Sequence, residues 1–270
     1  MSFTQHEISG VVFRTAGGLR AAGGVAHAFS TRIGGVSGGM WASLNLGVTR
    51  GDDPAAVEEN YRRIRAAMGG DAAGPLVKTS QVHGAHIRAV TRDTPILGLH
   101  DREPEADGLV TDLPGVTLAI YSADCIPVLL YDPVRRCVAA AHAGWRGTAA
   151  AIAARAAERM MADYGCRPGD IRAAIGPGIG PCCFETHEEV PAAMEAAYGA
   201  AAAPYLAPLP GGKFKVDLKG LNALALRQAG VEAAHIEVDG ECTMCLPEKY
   251  WSHRRLGDRR GSMAALIQLL

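Results

Sequence analysis

The sequence lacks a long apolar run: nowhere do roughly 18 uncharged apolar residues follow one another, so no membrane-spanning helix is expected. It also lacks a dominant charge. Lys and Arg total 27 against 28 for Asp and Glu, so no global field draws the chain to nucleic acid or to an anionic membrane surface. Any charged substrate has to be gripped locally. The opening residues, MSFTQHEISGVVF, show no basic stretch leading into an apolar core, which gives the expectation of a cytoplasmic protein. Low-complexity linkers and short-period repeats are absent too. With 48% hydrophobic residues over 270 positions the chain can bury a large core, and one domain over residues 1–270 is expected, with no signature of an oligomeric state. Seven Cys is an odd number in a chain far longer than a disulfide-stapled mini-domain, so reduced thiols, some of them ligands, are expected.

What is present alternates between two periods. VAHAFST (25–31) reads as a strand, and residues 53–69 read as a helix with Asp53 as N-cap and Pro54 in its first turn. PLVKTSQV (75–82) and HIRAVTR (86–92) read as two strands broken at His83 and Gly84, followed by VTLAIY (116–121), IPVLLYD (126–132) and CVAAAH (137–142) as central strands. The alanine-rich stretch 146–165 predicts one helix ending at Gly165, and DIRAAIG (170–176) a strand. Helices follow over 188–201 and 217–230, then strands at IEV (236–238), YWSHR (250–254) and SMAALIQLL (262–270). Hairpin-like spacing beside helical crossovers argues for an α+β fold with mixed sheets rather than a purely parallel, doubly wound one.

Three segments carry candidate chemistry. In KTSQVHGAHI, His83 ends an apolar strand and precedes Gly84, whose freedom would let the backbone turn sharply. In YSADCIPVLLYDP, Cys125 falls in a break between two apolar strands, where a thiolate can face a cleft. In AAAHAGWRGTAA, His142 ends a strand just before a helix, and the Gly-Trp-Arg-Gly turn offers free amides to an anion. One thiolate and two imidazoles suit zinc, and three protein ligands leave a fourth position for water or substrate. Taken singly, a His at a strand end is more often a hydrogen-bonded structural residue and a buried Cys more often packing. No HExxH or CxxC spacing links the three, so it is their shared placement at strand ends beside small residues that points to one pocket. Pro181-Cys182-Cys183 and Cys242-x-x-Cys245 raise a second possibility, a structural zinc on four thiols, against which stands the poor placement of adjacent cysteines for chelating one ion. THEE and PCC lack the H-x-E and P-C-x-x-C spacing of zinc base deaminases.

ADGLVTDLPGVTLAIYSADCIPVLLYDP, AAAHAGWRGTAA, IGPGIGPCCFE, and CT with SHRRLGDRRGSMAALIQL closely resemble the bacterial YfiH-type family, also labelled laccase-domain or polyphenol oxidase. The resemblance runs from FSTRIGGVSGGMWASLNLG to the last strand. It implies a four-layer αββα fold with mixed sheets, and a zinc bound by the His of QVHG, the Cys of ADC and the His of AHAGWRG, here His83, Cys125 and His142. The implied activity is zinc-dependent phosphorolysis of adenosine, inosine, guanosine and methylthioadenosine plus deamination of adenosine, with purine nucleosides and phosphate as partners. An open zinc site suits deamination, since water of lowered pKa can attack the purine C6. Phosphorolysis needs an anion site near the ribose C1′.

Arg32, Arg146, Arg254 and Arg255 are the candidates for gripping phosphate, although exposed Arg side chains are mostly solvated surface. Asp124 joins Cys125 and His142 as a catalytic candidate that would orient a ligand or shuttle a proton, unless it merely caps the strand break. Asn45 and Gln81 are further polar candidates around the substrate. The family usually has an aromatic residue where Met244 stands and fixes no Cys at Cys245, which weakens a role for that thiol. Three rival functions stand beside this reading. A copper laccase would use the two-His, one-Cys set as a blue-copper centre, but its other coppers need paired histidines and the chain has no His-x-His. A Cys-His amide hydrolase editing peptidoglycan precursors would use Cys125 as nucleophile and His142 as base. A binding protein would use zinc only to organise a ligand pocket.

Overall fold

Residues 263–269, MAALIQL, send Ala265, Ile267 and Leu269 to one side and Ala264 and Leu266 to the other, and both sets are buried. A strand apolar on both faces has to sit in the middle of a layered structure. In the computed structural model, which describes residues 2–270, it does. The first six-stranded sheet runs in the spatial order Thr4–Ile8, Val11–Thr15, Val25–Ser30, Met263–Leu269, Thr117–Ser122, Leu76–Val77. The second runs Ile236–Val238, Arg172–Ile175, Ile126–Asp132, Cys137–Ala143, Gly108–Thr111, Ile87–Ala89. Both are mixed, with parallel pairing confined to outer strands: Leu76–Val77 on Thr117–Ser122, Ile87–Ala89 on Gly108–Thr111, and Arg172–Ile175 on Ile236–Val238. A small third sheet joins Glu185–His187, Lys213–Val216 and Leu206–Leu209.

Three apolar clusters define the layers. Leu118, Ile120, Ala265 and Ile267 of the first sheet meet Leu129, Tyr131, Val138 and Ala140 of the second, so the sheets stack face to face. On the outer side of the first sheet, Ala119, Ala264 and Leu266 pack under Val57, Tyr61 and Ile64 of the helix Pro54–Ala67. On the outer side of the second, Val128, Leu130, Ala139 and Ala141 pack under the helices Ile152–Tyr164 and Leu218–Gln228. The order helix, sheet, sheet, helix is the expected αββα sandwich. No helix among the described residues is long and apolar enough to cross a membrane. Asp53 caps its helix as expected, its carboxylate accepting from the Ala55 amide at 3.1 Å.

Three expectations need correction. The helix over 146–165 is two helices, Trp145–Ala149 and Ile152–Tyr164, because Ala151 adopts the left-handed conformation at φ 56°. At the break Arg155 Nε donates to Ala150 O at 2.8 Å, and Thr148 O accepts from both the Ala151 amide at 2.9 Å and Tyr198 OH. YWSHR is not a strand. The Tyr250 amide closes a turn on Leu246 O at 2.9 Å, and Ser252 Oγ then accepts from the Arg255 amide at 3.3 Å to start the short helix His253–Leu256. The strands near His83 are also shorter than the apolar runs suggest, since beyond Val77 the chain pairs only by a bridge between Ser80 and Glu105.

An L-residue in the left-handed region costs roughly 1–2 kcal/mol, more than the roughly 0.5–1 kcal/mol that glycine gives up in chain entropy. Ala151→Gly is therefore expected to be neutral or stabilising by up to about 1 kcal/mol. Ala156→Gly, in the continuous buried part of the next helix, should cost about 1 kcal/mol or more. Urea unfolding of the two variants checks this, and equal losses would mean that residue 151 is ordinary helix.

Candidate metal centre and its cavity

The second sheet delivers two of the three expected ligands directly. Cys125 precedes the strand Ile126–Asp132 and His142 lies in its hairpin partner, Cys137–Ala143, with Pro127 opposite His142. His83 comes from the turn between Leu76–Val77 and Ile87–Ala89. The donor atoms of His83, Cys125 and His142 all lie within 4.8 Å of one another. The two imidazole rings meet edge to face at 5.0 Å between centroids.

The backbone is built around this convergence. A Cβ on Gly144 would stand 2.9 Å from His83 Cδ2 and 3.2 Å from Cys125 Sγ, so only glycine lets the chain pass this close to two ligands. The left-handed residue of the QVHG turn is His83 itself, at φ 60°, and not Gly84. What holds it there is Asp107, which sequence reading did not single out. Its carboxylate accepts from the amides of Val82 at 3.1 Å, His83 at 2.9 Å and Gly84 at 2.7 Å. The same carboxylate accepts from His142 Nδ1 at 2.8 Å, which leaves Nε2 of that ring for the site.

Charge follows from these contacts. Burial alone would push the Asp107 carboxyl up, but His142 and the backbone amides outweigh it and hold it below its ordinary value. Burial likewise works against the Cys125 thiolate, yet His142 and His83 bring that thiol down to about 6. His142 is held up at about 9 against desolvation by the Cys125 sulfur and Asp107. A thiolate with two imidazoles is a donor set for zinc or another borderline-soft ion, so the residues present fit a metal.

The three ligands sit on the wall of a cavity of about 700 Å³, within the range of small-molecule sites. Of the remaining candidates, Gln81, Asp124, Arg146 and Arg254 line it. Gln81 pairs with the backbone of Tyr121, Nε2 donating to its carbonyl at 3.0 Å and Oε1 accepting from its amide at 2.6 Å. Asp124 is positioned at φ 88° and its carboxylate accepts from Thr243 Oγ1 at 2.6 Å, Ser252 Oγ at 3.0 Å and the Arg254 amide at 2.7 Å. Those bonds commit both oxygens to holding loops in place. Arg146 stacks on Trp145 at 4.3 Å, and Arg254 lies over Phe184 at 5.3 Å while donating to Glu185 O at 2.8 Å.

Three candidates lie elsewhere. Arg32 stacks on Trp251 at 3.7 Å and donates to Pro247 O and Ala42 O, so its guanidinium ties two loops outside the cavity. Asn45 is fully buried and its Oδ1 accepts from the Gly47 and Ser262 amides. Arg255 is exposed and reaches Met244 O at 3.4 Å. Sequence reading missed the cavity-lining cations Arg50, Lys78, Arg102 and Arg260, and of these arginines only Arg260 is buried, at 7% exposure. Burial, with Arg50 nearby, lowers it to about 10. Its only hint in the sequence is the second Arg of GDRRG next to an apolar strand. Cys182, Cys183, Cys242 and Cys245 also converge, with all four sulfurs within 4.8 Å of one another.

Residues 26–270 match the family described as multi-copper polyphenol oxidoreductase laccase, and the chain belongs to it. It is 40% identical over 255 residues to the purine nucleoside phosphorylase YlmD of Geobacillus stearothermophilus, covering 90% of each. With a purine nucleoside phosphorylase of Deinococcus radiodurans it shares 41% identity over 248 residues, 91% of this chain and 89% of that one. The crystal structure of the hypothetical protein YfiH of Bacillus licheniformis superposes with a TM-score of 0.90 at 32% identity, over 98% of this chain and 99% of that one. The YfiH-type resemblance and its mixed α+β sandwich therefore hold.

Two outcomes are expected of the centre. In metal-stripped protein, alkylation of Cys125 should rise through about pH 6 instead of about 9, because the thiolate persists above its lowered pKa. Peptide mapping of labelled protein checks this, and a midpoint near 9 would remove the imidazoles from their assigned role. Asp107→Asn should weaken metal retention by about 10- to 100-fold while the sheets stay folded, as read by competition with a chelator and by circular dichroism.

Proposed function

We propose that the chain is a zinc-dependent purine nucleoside phosphorylase, a single catalytic domain over residues 1–270, that also phosphorolyses methylthioadenosine and deaminates adenosine. The observation that carries this reading is the two-His, one-Cys set on the wall of a cavity that combines apolar side chains with arginines. Trp145, Ile179, Phe184 and Leu218 offer surface for a purine ring. Arg146, Arg254 and Arg260 offer cations for phosphate on the same cavity. The names of the Geobacillus and Deinococcus relatives support the reaction class.

Zinc, when bound, supplies Lewis acidity at the reacting centre. The chain's own residues do the rest. Asp107 fixes the His142 tautomer and the His83 turn, and Asp124 holds the loop that presents Cys125 against Thr243, Ser252 and Arg254. Trp145 and Phe184 carry the guanidiniums of Arg146 and Arg254 on their faces, which orients both cations without neutralising them. The seven unpaired thiols suit a reducing, cytoplasmic setting.

The Cys125 thiolate beside His142 also resembles the nucleophile and base of a Cys-His hydrolase. His83 separates the two readings: a hydrolase has no need of a third donor within 4.8 Å, whereas a metal does. A chelator should therefore abolish turnover and not raise it.

Metal-quantified protein incubated with adenosine should release adenine only when phosphate is present, with inosine and hypoxanthine reporting deamination on the same chromatogram. His142→Ala should lose the cavity zinc and both activities together with the fold intact, and full phosphorolysis by that variant would refute the assignment. Arg146→Ala and Arg254→Ala should each raise the KM for phosphate about tenfold or more at unchanged zinc content, the loss expected for one charge-assisted contact. Equal loss of zinc and phosphate affinity would argue against a phosphate role.

A further inference from the structure

We propose that Cys182, Cys183, Cys242 and Cys245 hold a second zinc ion, a structural tetrathiolate site separate from the cavity centre and independent of the activity proposed above. Four thiolates around one zinc at about 2.3 Å put the sulfurs about 3.8 Å apart. Here all four sulfurs lie within 4.8 Å of one another, with Cys183 to Cys245 at 3.3 Å and Cys182 to Cys245 at 3.6 Å. Side chains so placed need only small rotations to close on one ion.

Adjacency of Cys182 and Cys183 is no obstacle in this fold. In extended chain two neighbours point to opposite faces, but Gly180–Phe184 is a tight turn in which the Cys183 and Phe184 amides both donate to Gly180 O at 2.9 Å. That curl swings both sulfurs to the same side. The Cys242-x-x-Cys245 loop has the short spacing of a zinc-binding pair, and its first sulfur accepts from the Gly180 amide at 3.2 Å. A Cβ at Gly180 would lie 3.2 Å from Cys182 Sγ and 3.3 Å from Cys242 Cβ, so glycine gives the sulfurs their room.

The surroundings prepare for negative charge. Zinc with four thiolates carries a net charge of about −2. Lys219, at 5% exposure, donates to Asp239 O at 2.8 Å and Glu241 O at 2.6 Å, just before Cys242. Lys215 donates to Cys182 O at 2.9 Å. With no cation among them the sulfurs are a costly group to gather, since four thiols crowd while only weak donors link them.

The site would staple two loops that wall the cavity. Gly178 and Cys242 form an isolated bridge, Ile179 and Phe184 face the cavity, and Thr243 donates to Asp124 beside Cys125. When the ion binds, each protonated thiol gives its proton to solvent and no electron is transferred.

Zinc content by mass spectrometry after dialysis under reducing conditions tests the proposal. Wild type should hold two zinc ions per chain, His142→Ala one, Cys182→Ser with Cys245→Ser one, and the combination none. Should the cysteine variant fail to fold, His142→Ala loaded with cobalt(II) still decides: visible bands of tetrahedral cobalt with sulfur-to-metal charge transfer scaled to four thiolates are expected. The proposal is overturned if His142→Ala holds no zinc, if iron replaces it, or if the four thiols alkylate freely or appear as disulfides in that protein. A single zinc lost only with His142→Ala refutes the second site and leaves the cavity reading standing. A single zinc lost only with the cysteine pair does the reverse.

Discussion

One buried carboxylate organises the centre. Asp107 accepts three consecutive amides from the turn that carries His83 and a fourth hydrogen from the ring of His142. Hydrogen bonds to a charged group are worth about 1.5–3 kcal/mol each, and here they act together on two ligands that are far apart in the chain. The left-handed backbone of His83 persists because those three amides over-determine it. Strain at one ligand and tautomer at another thus have the same cause.

The family's description speaks of several coppers, while the relatives' names speak of nucleoside phosphorolysis. The donor sets fall short of the first. Among the described residues the His-containing cluster that could hold an ion is a single two-His, one-Cys set, and the other cluster is all thiolate. A multicopper oxidase needs several histidine pairs, and neither cluster supplies them. Around the mixed set the cavity wall joins apolar side chains and arginines to the carboxylates of Asp101, Glu103 and Asp124.

Local pattern made much of this legible before any coordinates. IPVLLYD emerges as the strand Ile126–Asp132 because its apolar run is bounded by SADC and DPVRR, and the helix after Asp53 follows from its cap and its proline. The three candidate ligands were singled out as strand-end residues; the second sheet brings Cys125 and His142 together, and His83 joins them from a turn. What escaped depends on partners distant in sequence. Asp107 in EADG reads like any turn aspartate until the QVHG amides arrive. Arg260 reads as surface until the sheet buries it, and Ala151 lies in an alanine run with no glycine or proline to mark the break. Arg32 looked like a phosphate ligand, but Trp251 claims its planar face.

The cavity donors reach one another through tertiary structure, not through a short local motif. In a zinc finger the ion gathers its ligands from a short disordered stretch and so drives the folding itself. Here Cys125 and His142 face one another only once the hairpin Ile126–Asp132 with Cys137–Ala143 is zipped, and His83 arrives only when Asp107 has captured its turn. An ion held there would meet a site that the folded topology assembles, with ligands drawn from segments far apart in the chain. If that site takes an ion, shortage of the ion would be expected to leave assembled molecules awaiting it more than unfolded chains exposed to proteases.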